Sequence, residues 1–410
     1  MDKLILVLII VLLVISVAQI AKMYQITGDL SKKREEDVSP TANRINANLL
    51  LFFMIALFVT FIWQLIAFKD ILLPVAASEH GVLTDRLFNI NWLILIPAFF
   101  IVNFLLFFFA WKYRYDKNRK ALYLAHNNTL EMVWTIIPSI VLVFIIIYGL
   151  LTWNNIMDDP SDDALYVELY SKQFDWTARY AGNDKVMGEA NFSLISSSNP
   201  LGLITKETVE EKIKDLNEEI EKLEKRLEEE IMPESRRKDT KDRIGMRTRQ
   251  RARVINYLDS GLDFSAALDD QVIRGEFHIP VGREVNFQIR SRDVIHSAYM
   301  PHFRAQMNAV PGMTTQFKFV PTITTDSMRT VLGDEDFHYV LLCNKVCGSA
   351  HYNMQMEIVV DTPEDYRKWI EEQKTFAASM GIEIENSVAD EEEANDSEVE
   401  KDSKVAQTNK

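Results

Sequence analysis

The chain contains 410 residues, of which 48% are hydrophobic, and carries a formal net charge of −14. This charge argues against binding to nucleic acid, which requires a basic surface, and favours a basic partner. The hydrophobic residues are concentrated before residue 156, which predicts a membrane protein with a soluble C-terminal part.

Four long apolar runs occupy residues 4–20, 49–68, 90–111 and 132–153. Each is about long enough to cross the ~30 Å hydrocarbon core of a bilayer as a helix. The first run also has the length of a signal peptide, although no clear A-x-A cleavage site follows it. The runs alone therefore leave three or four membrane helices open.

The charge of the connecting loops decides between these two alternatives. Residues 111–120, "WKYRYDKNRK", are strongly basic, and residues 22–48 are also rich in Lys and Arg, whereas residues 69–89 carry fewer basic groups. Because basic loops stay on the cytoplasmic side, both can face inward only if the first run is retained as a helix. We therefore predict four transmembrane helices, with the chain beyond about residue 157 on the outer side of the membrane.

From Asp163 onward, short runs of Val, Ile, Phe and Tyr alternate with polar residues and are separated by Gly and Pro. The stretches "ALYVELYSKQFDWTARY" and "VIRGEFHIPVGREVNFQIRS" are examples. This alternation predicts an all-β domain, an antiparallel β-sandwich or barrel with one buried face.

Residues 205–257 interrupt the β pattern with an almost entirely charged insertion. Its first arm is rich in Glu and ends at Pro233, and its second arm is rich in Arg. Apolar residues in the first arm follow spacings of three and four, which places them on one stripe of a helix. They are Val209, Ile213, Leu216, Ile220, Leu223 and Leu227. We predict an antiparallel helical hairpin whose acidic and basic faces meet, either self-contained or docking a partner.

The stretch "PEDYRKWIEEQKTFAAS" at residues 363–379 predicts a helix after the β pattern. Residues 388–410, "VADEEEANDSEVEKDSKVAQTNK", lack the apolar residues that a core needs and are predicted to be disordered. The predicted parts are an additional N-terminal part with two helices at 1–89, a transmembrane hairpin at 90–156, a β domain at 157–370 and the helix end with its acidic tail at 371–410.

The only two cysteines of the chain lie in "CNKVCGSAHYNM", residues 343–354. A disulfide between Cys343 and Cys347 would close a loop too short to add much stability, and it would leave His351 and Met354 without a role. Zinc is a second alternative, but structural zinc sites use further Cys or His ligands, and methionine is a poor zinc ligand.

Copper accounts for all four side chains of this motif. Thiolates suit Cu(I), imidazole suits copper in either state, and a thioether is a weak axial ligand of copper sites. A second histidine is needed to complete the set. Residues 290–312, "RSRDVIHSAYMPHFRAQMNAVPG", offer His296 and His302, and spacing alone leaves the choice open.

The pattern C-x3-C-G-x2-H-x2-M, preceded by "DVIHS…P…AVPG", resembles subunit II of the haem–copper cytochrome c oxidases. The resemblance covers roughly residues 90–370, apart from the insertion. It implies two transmembrane helices followed by a cupredoxin-like β-sandwich, and a binuclear copper centre called CuA. The implied ligands are Cys343 and Cys347 as bridging thiolates, His296 and His351 as one imidazole each, Met354 as a weak thioether ligand and the backbone carbonyl of Lys345. His302 falls where the family has no ligand, and we expect it to be structural or at the surface.

Lys345 is a departure from the family pattern. The family normally has a glutamate at this position, and its carboxylate helps to hold a magnesium ion at the border with subunit I. The carbonyl of Lys345 preserves the copper ligand, because every residue has one. The magnesium ligand is lost, so magnesium is not expected here, and the lysine ammonium can take the place of the cation.

Two further sites follow from the resemblance. The family receives electrons from cytochrome c through an aromatic run, and the matching run is "QFDWTARY", with Phe174 and Trp176 expected on one strand face. Ordinary core packing is the alternative role for both. Glu131, three residues before Trp134 in "EMVWTIIP", matches a glutamate at the inner mouth of a proton channel, although an acidic residue at a helix start is also favourable in itself.

The resemblance implies an electron-transfer subunit of a proton-pumping terminal oxidase. Its expected partners are subunit I, other oxidase subunits, and cytochrome c or a c-type haem domain as the electron donor. A quinol oxidase subunit would lack the copper ligands, nitrous oxide reductase would be soluble with a second large domain, and a copper carrier would not need this full ligand set. The additional parts at 1–89 and 205–257 are predicted to bind another respiratory complex.

Overall fold

The computed structural model describes residues 2–30, 39–116, 118–120, 122–123 and 126–382. The chain divides into two compact units. One unit comprises Met1–Leu73 and Phe88–Ile145, and the other comprises Pro74–Leu87 and Ile146–Lys410. The first consists of helices, and the second contains the β domain.

Long helices dominate the N-terminal part: α1 at Asp2–Leu30, α2 at Pro40–Ala67, the short α3 at Lys69–Leu72, α4 at Glu79–Lys112 and α5 at Asn128–Met157. Helices α2, α4 and α5 are long and apolar enough to cross a membrane. They confirm the predicted membrane helices at 49–68, 90–111 and 132–153. The apolar part of α1, Val11–Thr27, is shorter, so a fourth crossing remains a prediction.

Aromatic side chains join α2 to α4. The rings of Phe53 and Phe107 lie 5.5 Å apart, and those of Phe61 and Phe99 lie 4.9 Å apart. Residues eight positions later in α2 meet residues eight positions earlier in α4, so the two helices run antiparallel. Such ring pairs add specificity to packing between two faces that are otherwise uniformly apolar.

Ten strands form the β domain in two five-stranded sheets. The strands are β1 at Leu165–Lys172, β2 at Asp175–Tyr180, β3 at Gln271–Ile273, β4 at Glu276–Pro280, β5 at Val285–Ser291, β6 at His296–Met300, β7 at Ala305–Ala309, β8 at Thr315–Phe319, β9 at Tyr339–Cys343 and β10 at Gln355–Asp361. The orders are β3-β2-β1-β5-β8 in one sheet and β4-β10-β9-β6-β7 in the other.

The predicted sandwich is thus confirmed, but its pairing is not wholly antiparallel. Val167 of β1 pairs with Phe287 of β5 in parallel, and Ile358 of β10 pairs with Phe277 of β4 in parallel. All four side chains are completely buried in one core between the sheets. Parallel pairs need long connections, and the segments between β1 and β5 and between β4 and β10 supply them.

The insertion forms the predicted hairpin, with α6 at Lys206–Glu229 and α7 at Glu234–Leu258. Val209 and Leu216 of α6 are buried in one cluster with Val254 of α7, which confirms the first half of the apolar stripe. Toward the tip, Leu223 and Leu227 are only partly buried. Fewer opposite charges pair between the two arms than predicted. Only a few polar side chains of one helix lie close enough to the other helix to form an ion pair or a hydrogen bond.

Two side chains of α7 make these contacts with α6. The Nε of Arg247 lies 3.0 Å from the Oε1 of Glu219, and the Nη1 of Arg251 donates a hydrogen bond of 2.7 Å to the Oδ1 of Asn217. Among the described residues, the contact between Arg247 and Glu219 is the single ion pair that joins the two arms.

After α8 at Thr325–Leu332, the C-terminal part contains two helices where one was predicted. Helix α9 spans Pro363–Glu371 and α10 spans Phe376–Met380. The chain breaks between them because Thr375 forms a bridge with Gln271 of β3 and caps α10 through its side chain. The predicted disordered tail at 388–410 lies outside the described residues.

The segment Pro74–Leu87, which comprises the end of the connection to α4 and the first turns of α4, packs on the β domain. Asp85 accepts hydrogen bonds of 2.9 and 2.8 Å from Arg304, and Ala77 donates a backbone hydrogen bond to His302. Ala77 and Ser78 are completely buried. The connection between α2 and α4 therefore lies on the same side of the membrane as the β domain, in agreement with the predicted topology.

Candidate metal centre

The site lies where two neighbouring strands and one loop meet. His296 is the first residue of β6, and Cys343 is the last residue of β9. These strands pair antiparallel, with Ala298 opposite Cys343. The loop from β9 to β10 carries the remaining motif residues, and it is closed by a 3.0 Å hydrogen bond from the backbone N–H of Cys343 to the carbonyl of Met354.

The two cysteine sulfurs form the centre of the site. They are 3.9 Å apart and are not bonded to each other. The Nδ1 of His296 lies 3.8 Å from the sulfur of Cys343, and these three ligand atoms lie within 4.8 Å of one another. This spacing is much longer than the ~2.05 Å of a disulfide and leaves room for metal between the donors.

Each cysteine has its own pair of further donors. On one side, the sulfur of Cys343 lies 3.2 Å from the carbonyl oxygen of Lys345, in addition to its contact with His296. On the other side, the sulfur of Cys347 lies 3.6 Å from the Nδ1 of His351 and 3.8 Å from the Sδ of Met354. The donors thus divide into two groups that share the sulfur pair.

Burial sets the chemistry of these groups. His296 is completely buried, and Cys343, Cys347 and Met354 are 7%, 5% and 2% exposed. Burial, reinforced by the neighbouring Cys343, raises the pKa of the Cys347 thiol to about 11. A metal ion that binds here must therefore displace a proton, and its binding becomes stronger as pH rises.

Asp293 fixes the orientation of His296. Its Oδ1 lies 2.8 Å from the Nε2 of His296, which leaves Nδ1 directed toward Cys343. Its Oδ2 accepts a hydrogen bond of 2.7 Å from the backbone N–H of Gln173, whose side chain donates to the carbonyl of Cys347. Burial alone would raise the pKa of Asp293, but the hydrogen bonds from His296 and Gln173 lower this pKa below its usual value.

The two aromatic candidates occupy different positions. Trp176 in β2 is completely buried, with its ring centroid 6.3 Å from that of His296. Phe174 is half-buried in the turn between β1 and β2, so the expectation of one strand face for both is wrong. The turn reaches the metal loop, because a Cβ on Gly348 would lie 2.8 Å from the Phe174 ring. Gly348 also has a φ of +144°, which side chains rarely adopt.

The structure separates the two histidines that spacing left open. His296 faces the cysteines, whereas the ring of His302 packs against Phe337 and Tyr339 at centroid distances of 5.0 and 5.3 Å. Burial, with a smaller contribution from Arg304, lowers the pKa of His302 to about 4. His302 is therefore neutral at physiological pH and has a packing role.

The two remaining predicted site residues are Glu131 and Lys345. Glu131 is in the first turn of α5, and its Oε1 accepts a 3.4 Å hydrogen bond from the backbone of Asn127. The side chain of Lys345 is exposed and makes no ion pair with any described residue. Sequence reasoning missed Asp293 and Gln173, although Asp293 stands three positions before His296 and offered a signal.

Two family profiles match the chain. The profile described as "Cytochrome C oxidase subunit II, transmembrane domain" matches residues 67–151, and the profile described as "Cytochrome C oxidase subunit II, periplasmic domain" matches residues 263–362. The second match contains every donor residue of the metal site. The first begins ahead of the predicted boundary at residue 90.

Curated relatives carry related names. The "Alternative cytochrome c oxidase subunit 2" of Bradyrhizobium diazoefficiens is 28% identical over 306 residues, which are 74% of this chain and 85% of the relative. The "Cytochrome c oxidase subunit 2" of Thermostichus vulcanus is 28% identical over 316 residues, which are 76% of this chain and 81% of the relative. The periplasmic domain of subunit II from Bradyrhizobium japonicum aligns with 52% of this chain and 95% of its own at 17% identity, with a TM-score of 0.26, too low for a conclusion about the fold.

We predict that Asp293→Ala weakens copper binding about 10–100-fold, because it removes the acceptor that orients His296. Equilibrium titration of the full-length chain with copper measures the affinity. Asp326→Ala is the matched control, since Asp326 is an exposed acidic residue that pairs only with Arg329. Equal affinities for the two variants would contradict an orienting role.

Proposed function

The chain belongs to the cytochrome c oxidase subunit II family, and from this membership we propose that it accepts electrons at a binuclear CuA centre and passes them to the haem–copper site of subunit I. As a member of this family it is a component of an oxidoreductase complex, anchored in the membrane with its β domain on the periplasmic side. In our proposal, the complex reduces oxygen to water and pumps protons.

The division of donors around the sulfur pair carries this proposal. One imidazole, one weak donor and two shared thiolates are available on each side, and these donors would together hold two copper ions. A single zinc ion would leave donors unused, and Met354 is a poor ligand for it. When bound, the copper pair accepts one electron and gives it up again.

The protein contributes rigidity and exclusion of water. His296 and Cys343 sit on paired strands of the buried core, and the loop that carries Cys347 is fixed at both ends. Because the donors are already in place and nearly buried, they need to move little when the charge of the site changes. Little movement means a low barrier to electron transfer.

We predict that the full-length chain binds two copper ions and then gives a mixed-valence electron paramagnetic resonance signal from two equivalent coppers. The physical reason is electron sharing through two bridging thiolates.

Metal analysis of the intact oxidase should give no stoichiometric magnesium at the border with subunit I, because Lys345 offers no carboxylate. In the single variant Lys345→Glu, the magnesium should appear.

A colourless chain after reduction and copper addition, with Cys343 and Cys347 as a disulfide, would contradict the proposal and leave a structural subunit. Cys347→Ser is expected to abolish the two-copper signal. Ser297→Ala serves as the control, because Ser297 neighbours His296 in β6 but offers no soft donor. Stoichiometric magnesium in the unaltered oxidase would contradict the assignment for Lys345.

We propose that electrons enter near Phe174 and Trp176. Trp176 lies beside the ligand His296, and Phe174 lies against the metal loop, so both are close to the copper ligands. Phe174→Leu and Trp176→Phe are expected to slow electron transfer from a reduced c-type cytochrome several-fold at unchanged copper content, which stopped-flow absorption measures. If both variants accept electrons as fast as Phe192→Leu, an exposed-phenylalanine control, core packing is their sole role.

Glu131 is proposed as the entrance of a proton channel. Its position in the first turn of α5 is compatible with proton uptake from the cytoplasm. Glu131→Gln should lower steady-state oxygen consumption several-fold while reduction of copper stays fast. Glu79→Gln is the matched control for Glu131→Gln, because Glu79 is also an acidic residue in the first turn of a membrane helix, α4. An unchanged oxygen consumption would assign Glu131 to helix stabilisation alone.

The proposed partners are subunit I, the other oxidase subunits and a c-type haem donor. We further propose that 1–89 and 205–257 contact another respiratory complex, since both lie beyond what the copper site requires. Deleting 205–257 should remove that complex from the purified oxidase, as judged by the composition of the native assembly. An unchanged composition would argue against this contact.

A further inference from the structure

Helix α7 presents basic side chains that have no partner among the described residues. Of its charged residues, nine are Lys or Arg and three are Asp or Glu. Five arginines are exposed and make neither an ion pair nor a side-chain hydrogen bond with described residues. Four of them project within about 140° of one another around the helix, at ~100° per residue, and we call these four the arginine face. They are Arg236, Arg243, Arg249 and Arg253, whereas Arg237 projects to another side of the helix.

The neighbouring helix does not neutralise this face. Although α6 is acidic, Glu219 alone of its acidic side chains reaches α7, and it pairs with Arg247 rather than with the arginine face. Glu229 pairs with Lys225 and lies within α6. On α7, Arg249 and Arg253 are one helical turn apart, and such like charges repel each other. An anionic partner would relieve this repulsion.

The chain itself contains a suitable anion. Residues 383–410 include ten Asp or Glu and three Lys, so this tail has a charge of −7. Eight of the acidic residues fall within 390–402. That segment holds few apolar side chains, and it can therefore bind a surface through charge without burying a core.

The adjacent residues Leu203 and Ile204 connect the packing of the last helix before the tail with the packing of the hairpin. Phe376 of α10, the last helix before the tail, packs in a cluster with Leu203. The next residue, Ile204, packs in a second cluster with Val254 of α7. Helix α10, the last described element before the tail, therefore lies near the C-terminal end of α7.

The length of the chain is sufficient to cover the helix. Helix α7 has 25 residues and is about 37 Å long at ~1.5 Å per residue. The eight residues from 383 to 390 extend up to about 26 Å, and the thirteen residues of 390–402 add about 43 Å at ~3.3 Å per residue. Every arginine of the face is thus within reach of the acidic segment.

We propose that residues 390–402 bind along the arginine face of α7 and act as its built-in counter-charge. Any acidic external partner of the hairpin then competes with the tail. Because the contact is between exposed charges, it weakens as salt is added. This contact between the hairpin and the tail does not depend on copper.

The experiment uses the intact oxidase purified with the full-length chain. A photoreactive benzophenone amino acid takes the place of alanine at position 394, and cross-linked peptides are identified by mass spectrometry. Cross-links to residues 234–258 are expected, with a yield that falls about tenfold from ~0.05 to ~0.5 M salt as the Debye length shrinks from roughly 14 to roughly 4 Å.

Matched variants separate the charge of α7 from the charge of the hairpin as a whole. The triple substitution of Arg243, Arg249 and Arg253 by Gln should lower the yield several-fold. The same substitution of the exposed α6 residues Lys206, Lys214 and Lys222 should leave it unchanged. Helix content, measured by circular dichroism, confirms that each variant is folded.

Three results would overturn the proposal. One is cross-linking at low salt to another subunit, to lipid or to a second copy of the chain instead of α7. Another is an equal yield from the arginine and lysine variants. The third is a yield to α7 that does not respond to salt.

Discussion

The separation of the two cysteine sulfurs is the constraint on which the metal centre depends. At 3.9 Å they are too far apart to be a disulfide and close enough to share metal. This distance follows from the β frame: Cys343 ends a strand that pairs with the strand of His296, and its backbone hydrogen bond to Met354 draws the loop back toward that strand. The loop then places Cys347 opposite Cys343, and the remaining donors follow in sequence.

A second layer of polar contacts keeps this frame in position. Asp293 links the ring of His296 to the turn at Gln173, and Gln173 in turn donates to the carbonyl of Cys347. One carboxylate and one amide thus connect candidate ligands that come from segments far apart in the sequence. The same turn brings Phe174 against Gly348, so the aromatic residues nearest the site are positioned by the contacts that hold the ligands.

Features that depend on the spacing of residues within one segment could be predicted from the sequence. Features that depend on pairing between distant segments could not. Cys347, His351 and Met354 follow Cys343 within one loop, so the motif alone made them candidate ligands. His296 and His302 were equivalent by spacing; the family resemblance favoured His296, and the pairing of β6 with β9 is the physical reason that His296 lies beside Cys343. The parallel pairing of β1 with β5 joins segments more than a hundred residues apart, which no local alternation can reveal. The break before α10 also comes from a long-range contact, the bridge of Thr375 to β3.

Burial of the Cys347 thiol has a consequence for its reactivity. A thiol with a pKa of about 11 is almost entirely protonated at neutral pH, and the protonated form is a poor nucleophile toward oxidants and disulfides. As long as no metal is bound, protonation therefore slows the oxidation of Cys347, on a side of the membrane that favours disulfides. The same burial that would hold a metal thus also protects the metal-free thiol.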